Sequence, residues 1–131
     1  MNTIFDKYIA EIILVEVIRG NQALQTEKKA NMFNSTPPEG KEYLFAKFKI
    51  KGINSYNDNP IDISSAEFDL YSSDGVGYDD FVFVAGLESF SKFFAGAETS
   101  GYATFYIDKN DKIPNIVFLQ RNSNGVWFKT Y

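Results

Sequence analysis

Cysteine and histidine are both absent from the 131 residues. Without cysteine there is no thiolate nucleophile, no disulfide and no Cys/His zinc site. Without histidine the commonest general base is missing. No Gly-x-Ser-x-Gly run occurs, so a serine nucleophile has neither its usual turn nor an imidazole to activate it. An excess of positive charge is lacking too. The formal net charge is −4, which speaks against phosphate backbones and anionic membrane surfaces as partners. The longest apolar run, Ile9–Ile18, is broken by Glu11 and Glu16. It is too short to span a bilayer and has neither the basic leader nor the cleavage site of a secretory signal. The lack of cysteine fits a cytosolic protein and a cysteine-free exported one equally.

What is present in quantity is aromatic. Phe and Tyr contribute most of a 17% aromatic share, so the chain can fill a core and fold without a metal or disulfide. Its length suits one domain, 1–131.

The most informative stretch is Gly40–Ile53. Leu44, Ala46, Phe48 and Ile50 alternate with Lys47, Lys49 and Lys51, a period of two that predicts a half-buried strand. Tyr43 and Phe45 interrupt the polar face, so that end should be covered on both sides. The lysines should form a solvated face, and on an edge strand they would block stray pairing.

Before this strand, Tyr8–Ile18 reads as the first strand, rich in β-branched residues. Ile9, Ile13, Val15 and Val17 share one face, and Ala10, Ile12, Leu14 and Ile18 the other. Asn21–Phe33 reads as a short helix with Asn21 as its N-cap. Pro37, Pro38 and Gly40 then forbid regular structure.

After it, Ile61–Ser65 is a candidate brief strand. Glu67–Ser72 and Tyr78–Ala85 read as a hairpin about Ser73-Asp74-Gly75, and Leu87–Ala95 as a loop or short strand. Thr99–Asp108 alternates Gly101, Ala103, Phe105 and Ile107 against Tyr102, Thr104 and Tyr106. Asn115–Arg121 and Val126–Tyr131 should pair across Asn122–Gly125. About seven or eight short strands with regular turns make an antiparallel β-sandwich.

Several pieces carry a family resemblance. Arg19-Gly20 is followed by Ala23 and Ala30-Asn31-Met32-Phe33-Asn34. Gly40-Lys41-Glu42-Tyr43 opens the strand LFAKFKIKGIN. Phe68 and Leu70 precede Asp74-Gly75, and Gly96, Glu98, Gly101 and Phe105 lead into a late strand. In these the chain resembles the telokin-like, immunoglobulin-like domain family of unknown function, found in exported proteins and lipoproteins of Gram-positive bacteria. The resemblance implies an all-β, immunoglobulin-like antiparallel β-sandwich with one short helix after the first strand. It also implies an extracellular or surface-anchored location, with any membrane attachment through a removed leader or lipid anchor. It carries over no catalytic residue, no metal and no cofactor.

The candidate chemistry is sparse. Asp74, Asp79 and Asp80 lie close in sequence, and Asp58 and Asp62 flank a loop, but none matches a calcium loop. Asp and Asn are in any case expected in turns. Glu67, Asp69, Asp79 and Asp80 are the carboxylates from which a hydrolytic pair would have to come, although alternating strands place polar residues outward by default. Tyr78, Phe90, Phe93 and Phe94 are the candidate binding residues: they either form an exposed patch or plug the open end of the sandwich. Tyr71, Tyr102 and Tyr106 on outward faces could stack on sugars or a partner, or pair across strands. The expectation is a non-catalytic module that binds a protein or envelope component. The alternative is a carbohydrate- or cell-wall-binding module that uses exposed aromatics.

Overall fold

The computed structural model describes residues 2–4, 8–32, 35–78, 82, 84–118 and 125–131. Strand β3 (Lys41–Ser55) runs through the middle of a four-stranded sheet. It is flanked by β2 (Tyr8–Arg19) and β5 (Glu98–Asp108), with β1 (Asn2–Ile4) outside β2. The second sheet has the order β4 (Phe68–Tyr71), β6 (Asn115–Phe118), β7 (Val126–Lys129). All pairings are antiparallel.

Beginning at β2, the six strands β2 to β7 divide between the two sheets as in an immunoglobulin domain. Strands β2, β3 and β5 stand where A, B and E do, and β4, β6 and β7 where C, F and G do. Val82 and Glu88–Ser91 lie against the free edge of β5, in the place of a D strand. Tyr102 N–H donates to Glu88 O at 3.0 Å, Ser91 N–H to Thr99 Oγ1 at 2.9 Å, and Thr104 Oγ1 to Val82 O at 2.6 Å.

The alternation of β3 sets the core. Leu44, Ala46, Phe48 and Ile50 face the second sheet and are fully buried with Ala103, Phe105 and Ile107 of β5. From the other side come Phe68 and Leu70 of β4 and Ile116 and Phe118 of β6. Phe68 lies among three rings, with centroids 4.4 Å from Phe48, 4.9 Å from Phe118 and 5.6 Å from Phe90.

The expected double coverage near Tyr43 is present. Tyr43 and Phe45 face outward but are buried with Ile18, Ala23, Val82 and Val84 in a second, smaller core. The helix α1 (Asn21–Ala30) supplies that cover through Ala23 and Leu24. Further along β3 the outer face opens to solvent. There Lys47 pairs with Glu88 and Lys49 with Glu98, each at 3.4 Å. Since β3 is central, the lysine stripe guards no edge.

Three details differ from the sequence reading. In β2 the register slips between Leu14 and Glu16, leaving Val15 as an extra residue that is 53% exposed. After this bulge Val17 pairs with Ala46 and packs on the main core, while Ile18 pairs with Phe45 and enters the second core. One added residue exchanges the two faces of everything beyond it. The helix stops at Ala30, and its N-cap is Gly20 at φ +64°, so Asn21 is the first helical residue. Gly20 has no side chain with which to cap the helix start. The last turn carries Lys28 and Lys29, which complement the carbonyl end.

The third difference concerns the shorter expected strands. Ile61–Ser65 makes a single bridge, Ile61 to Phe93, before a 3-10 turn at Ser65–Glu67. The return strand expected over Tyr78–Ala85 lies partly outside the described residues, as do Asp79, Asp80, Phe81 and Phe83. Tyr78, Val82, Val84 and Ala85 belong to no strand.

Candidate functional site

The four candidate aromatics do not form one surface. Phe93 exchanges both backbone hydrogen bonds with Ile61, at 2.7 and 3.0 Å. This pairing turns its ring into the main core, where it is 6% exposed. Phe90 is half-buried and stacks on Phe68 with planes 12° apart. Phe94, one residue along, points out and is 61% exposed. Tyr78 sits by Lys41, at the other end of β3 from Gly52, which abuts Phe93. The stretch is therefore mainly core, with a single exposed ring.

Tyr78 belongs to a polar cleft of about 580 Å³ at one end of the sandwich. The loop after β4, the start of β3 and the turn after β5 form its walls. The Tyr78 hydroxyl donates to Asp111 Oδ2 at 2.6 Å. Two backbone N–H groups, from Ser73 and Ile113, also donate to the Asp111 carboxylate at 3.4 Å each. Lys41 Nζ meets Asp108 Oδ1 at 2.7 Å and lies 5.4 Å from the centre of the Tyr78 ring. Burial first, then the bond to Asp111, pushes the Tyr78 phenol well above its ordinary range. The hydroxyl is thus held protonated, as a donor. Asp111 and Asp108 are held by these partners, and the Asp111 contacts tie the Ser72–Tyr78 loop to the Asp108–Ile113 turn.

The other carboxylates are scattered. Glu67 accepts the Ser64 N–H at 3.2 Å, closing a capping box. Its carboxyl is raised above the usual carboxylate range by burial. Asp69 is exposed on the outer face of β4. Among the described residues no three acids come together to hold a metal ion.

A second surface was not legible as a unit. On the outer face of the three-stranded sheet the Tyr71 ring meets the Trp127 ring, with centroids 5.4 Å apart and planes at 44°. Their strands, β4 and β7, flank β6, so the two rings meet over it. Beneath them Val117 is 1% exposed, whereas Trp127 is 60% exposed. Two rows cross this face in register, Asp69–Val117–Trp127 and Tyr71–Asn115–Lys129. Tyr131 follows, its ring 5.8 Å from Lys129 Nζ. Tyr102 and Tyr106, also expected to face outward, are half-buried against the second core, and Tyr106 stacks on Tyr43 at 5.2 Å. The available signal for Trp127 was its alternation with Val126 and Phe128, which turn inward.

No protein-family model and no curated protein matches the chain. Among solved structures it is similar to one described as "a putative lipoprotein (ycdA) from Bacillus subtilis". The match has a TM-score of 0.64 and 16% sequence identity, over 98% of this chain and 37% of that one. The chain thus spans little more than a third of that protein's length. At this identity the likeness establishes a shared β-sandwich fold.

Proposed function

We propose that the chain is a non-catalytic binding module displayed outside the cytoplasm, where it recognises a protein or envelope component. The observation that carries the binding role is the exposed Trp127 ring, held against Tyr71 on a regular strand face. A large aromatic buries roughly 150–250 Å² when covered. Covering the exposed part of such a ring favours association, and its place on a regular strand keeps the ordering cost low. The extracytoplasmic placement draws support from the fold shared with the B. subtilis lipoprotein. The resemblance to the telokin-like group fits the same placement. The non-catalytic role draws support from the end cleft, where Tyr78, Asp111, Lys41 and Asp108 satisfy one another.

The test is co-sedimentation of the full chain with crude envelope from a Gram-positive bacterium. The wild-type chain should pellet, and Trp127→Ala should stay in the supernatant with an unchanged urea midpoint. Equal pelleting of both would remove this face from the function. No pelleting of either would remove the envelope role.

A further inference from the structure

We infer that the Tyr71–Trp127 face is a saccharide site, in which a pyranose ring of a neutral glycan lies over Trp127. The inference rests on the binding role proposed above and names its ligand class.

Three features of the face point to this chemistry. A pyranose presents C–H bonds on its flat sides and hydroxyls around its rim. The π-face of an indole carries negative charge density and receives such polarised C–H bonds. Here Trp127 supplies that surface, and the Tyr71 ring lies beside it, tilted by 44°.

The polar residues lie where the rim would fall. Asp69, Asn115 and Lys129 share the outer face with the two rings, one strand or one pleat away from them. Strands are about 4.8 Å apart and same-face residues about 7 Å apart along a strand. That spacing places a carboxylate acceptor, an amide and an ammonium donor around a footprint the size of one or two sugar rings. The carboxylate of Asp69 and the ammonium of Lys129 are of opposite sign, so the rim is balanced and suits a neutral ligand.

The position of the face in the fold separates a glycan from a peptide strand. An extended peptide is taken up through main-chain bonds at a sheet edge, and here that edge is β7. The outer face offers side chains only.

Trp127 is the chain's single tryptophan, so its emission reports on this site alone. The experiment titrates the full chain with cellohexaose, chitohexaose, maltohexaose and mannohexaose. At least one should give a saturable emission change. Tyr71→Ala should weaken that affinity by roughly tenfold, the size of one lost aromatic contact in a binding site. Amide NMR shifts, followed for the Trp127 variants, should map to β4, β6 and β7. They should vanish in Trp127→Ala and return in part in Trp127→Phe. No saturable change with any of the four sugars at millimolar concentration overturns the inference, as does a change that Tyr71→Ala leaves intact. If the sugars fail while envelope co-sedimentation still depends on Trp127, the face binds something other than a glycan and the module role stands. If both fail, both readings fall.

Discussion

The Tyr78 hydroxyl and Asp111 Oδ2 are 2.6 Å apart although 33 residues separate them in the chain. Asp111 is 8% exposed, a carboxylate almost withdrawn from water. Among the described residues its other donors are the two backbone N–H groups at 3.4 Å. This contact fastens the loop after β4 to the turn after β5, which closes one end of the sandwich.

Replacing Tyr78 by Phe keeps the ring and removes the donor. A buried acceptor that loses its best partner costs about 1–3 kcal/mol, to be read from urea unfolding at pH 7. The cost should also depend on pH. Burial and then the Asp111 carboxylate raise the folded-state phenol above its ordinary value of 10.0. The stability linked to its proton is complete below that unfolded value. It declines as pH rises toward the folded value, because the unfolded chain ionises first. The gap between wild type and Tyr78→Phe should therefore narrow above pH 10.0. A gap that widens there would show that the hydroxyl is not held protonated.

Phe93 and Phe94 are sequence neighbours with opposite fates, 6% and 61% exposed. Phe93→Ala should cost ~3–5 kcal/mol, as large core truncations do. Phe94→Ala should stay within about 0.5 kcal/mol of wild type. Denaturant midpoints of the two variants decide the matter, and equal midpoints would contradict the burial of the Phe93 ring.

Gly86 and Gly75 both take positive φ, +86° and +83°, but their surroundings differ. A Cβ at Gly75 meets nothing within 4 Å, whereas at Gly86 it would lie against the Ala30 carbonyl oxygen at the end of α1. Gly75→Ala should cost only the left-handed conformation, roughly 1–2 kcal/mol. Gly86→Ala should cost more, because the loop and the helix end must separate. Thermal unfolding of the two variants provides the ranking, and a milder effect at Gly86 would mean that the loop does not rest on the helix.

Much of the sandwich was legible because strand alternation is written residue by residue. Leu44, Ala46, Phe48 and Ile50 are buried as their spacing requires, and so are Gly101, Ala103, Phe105 and Ile107. The antiparallel β6–β7 pairing follows from two alternating runs, while the expected turn at Asn122–Gly125 lies largely outside the described residues. The face assignment failed in β2 beyond Leu14, where Val15 bulges out. Val15 looks like any other strand valine, and only pairing with β3 marks it as extra. Exposure of the candidate aromatics was not legible either. Phe90, Phe93 and Phe94 lie in a segment with no period, so composition alone assigned them no side.

The sequence by itself determined strands β2 to β7 and, for most of them, which side is apolar, because a two-residue period is a local property of the backbone; it did not mark β1, and Ile61–Ser65 proved to make one bridge instead of a strand. Tertiary structure alone decided the bulge at Val15, the burial of Phe93, the Tyr78–Asp111 closure and the meeting of Tyr71 with Trp127 over β6. Each depends on a register or contact between distant segments, and the free energy that selects it belongs to the pair of segments together.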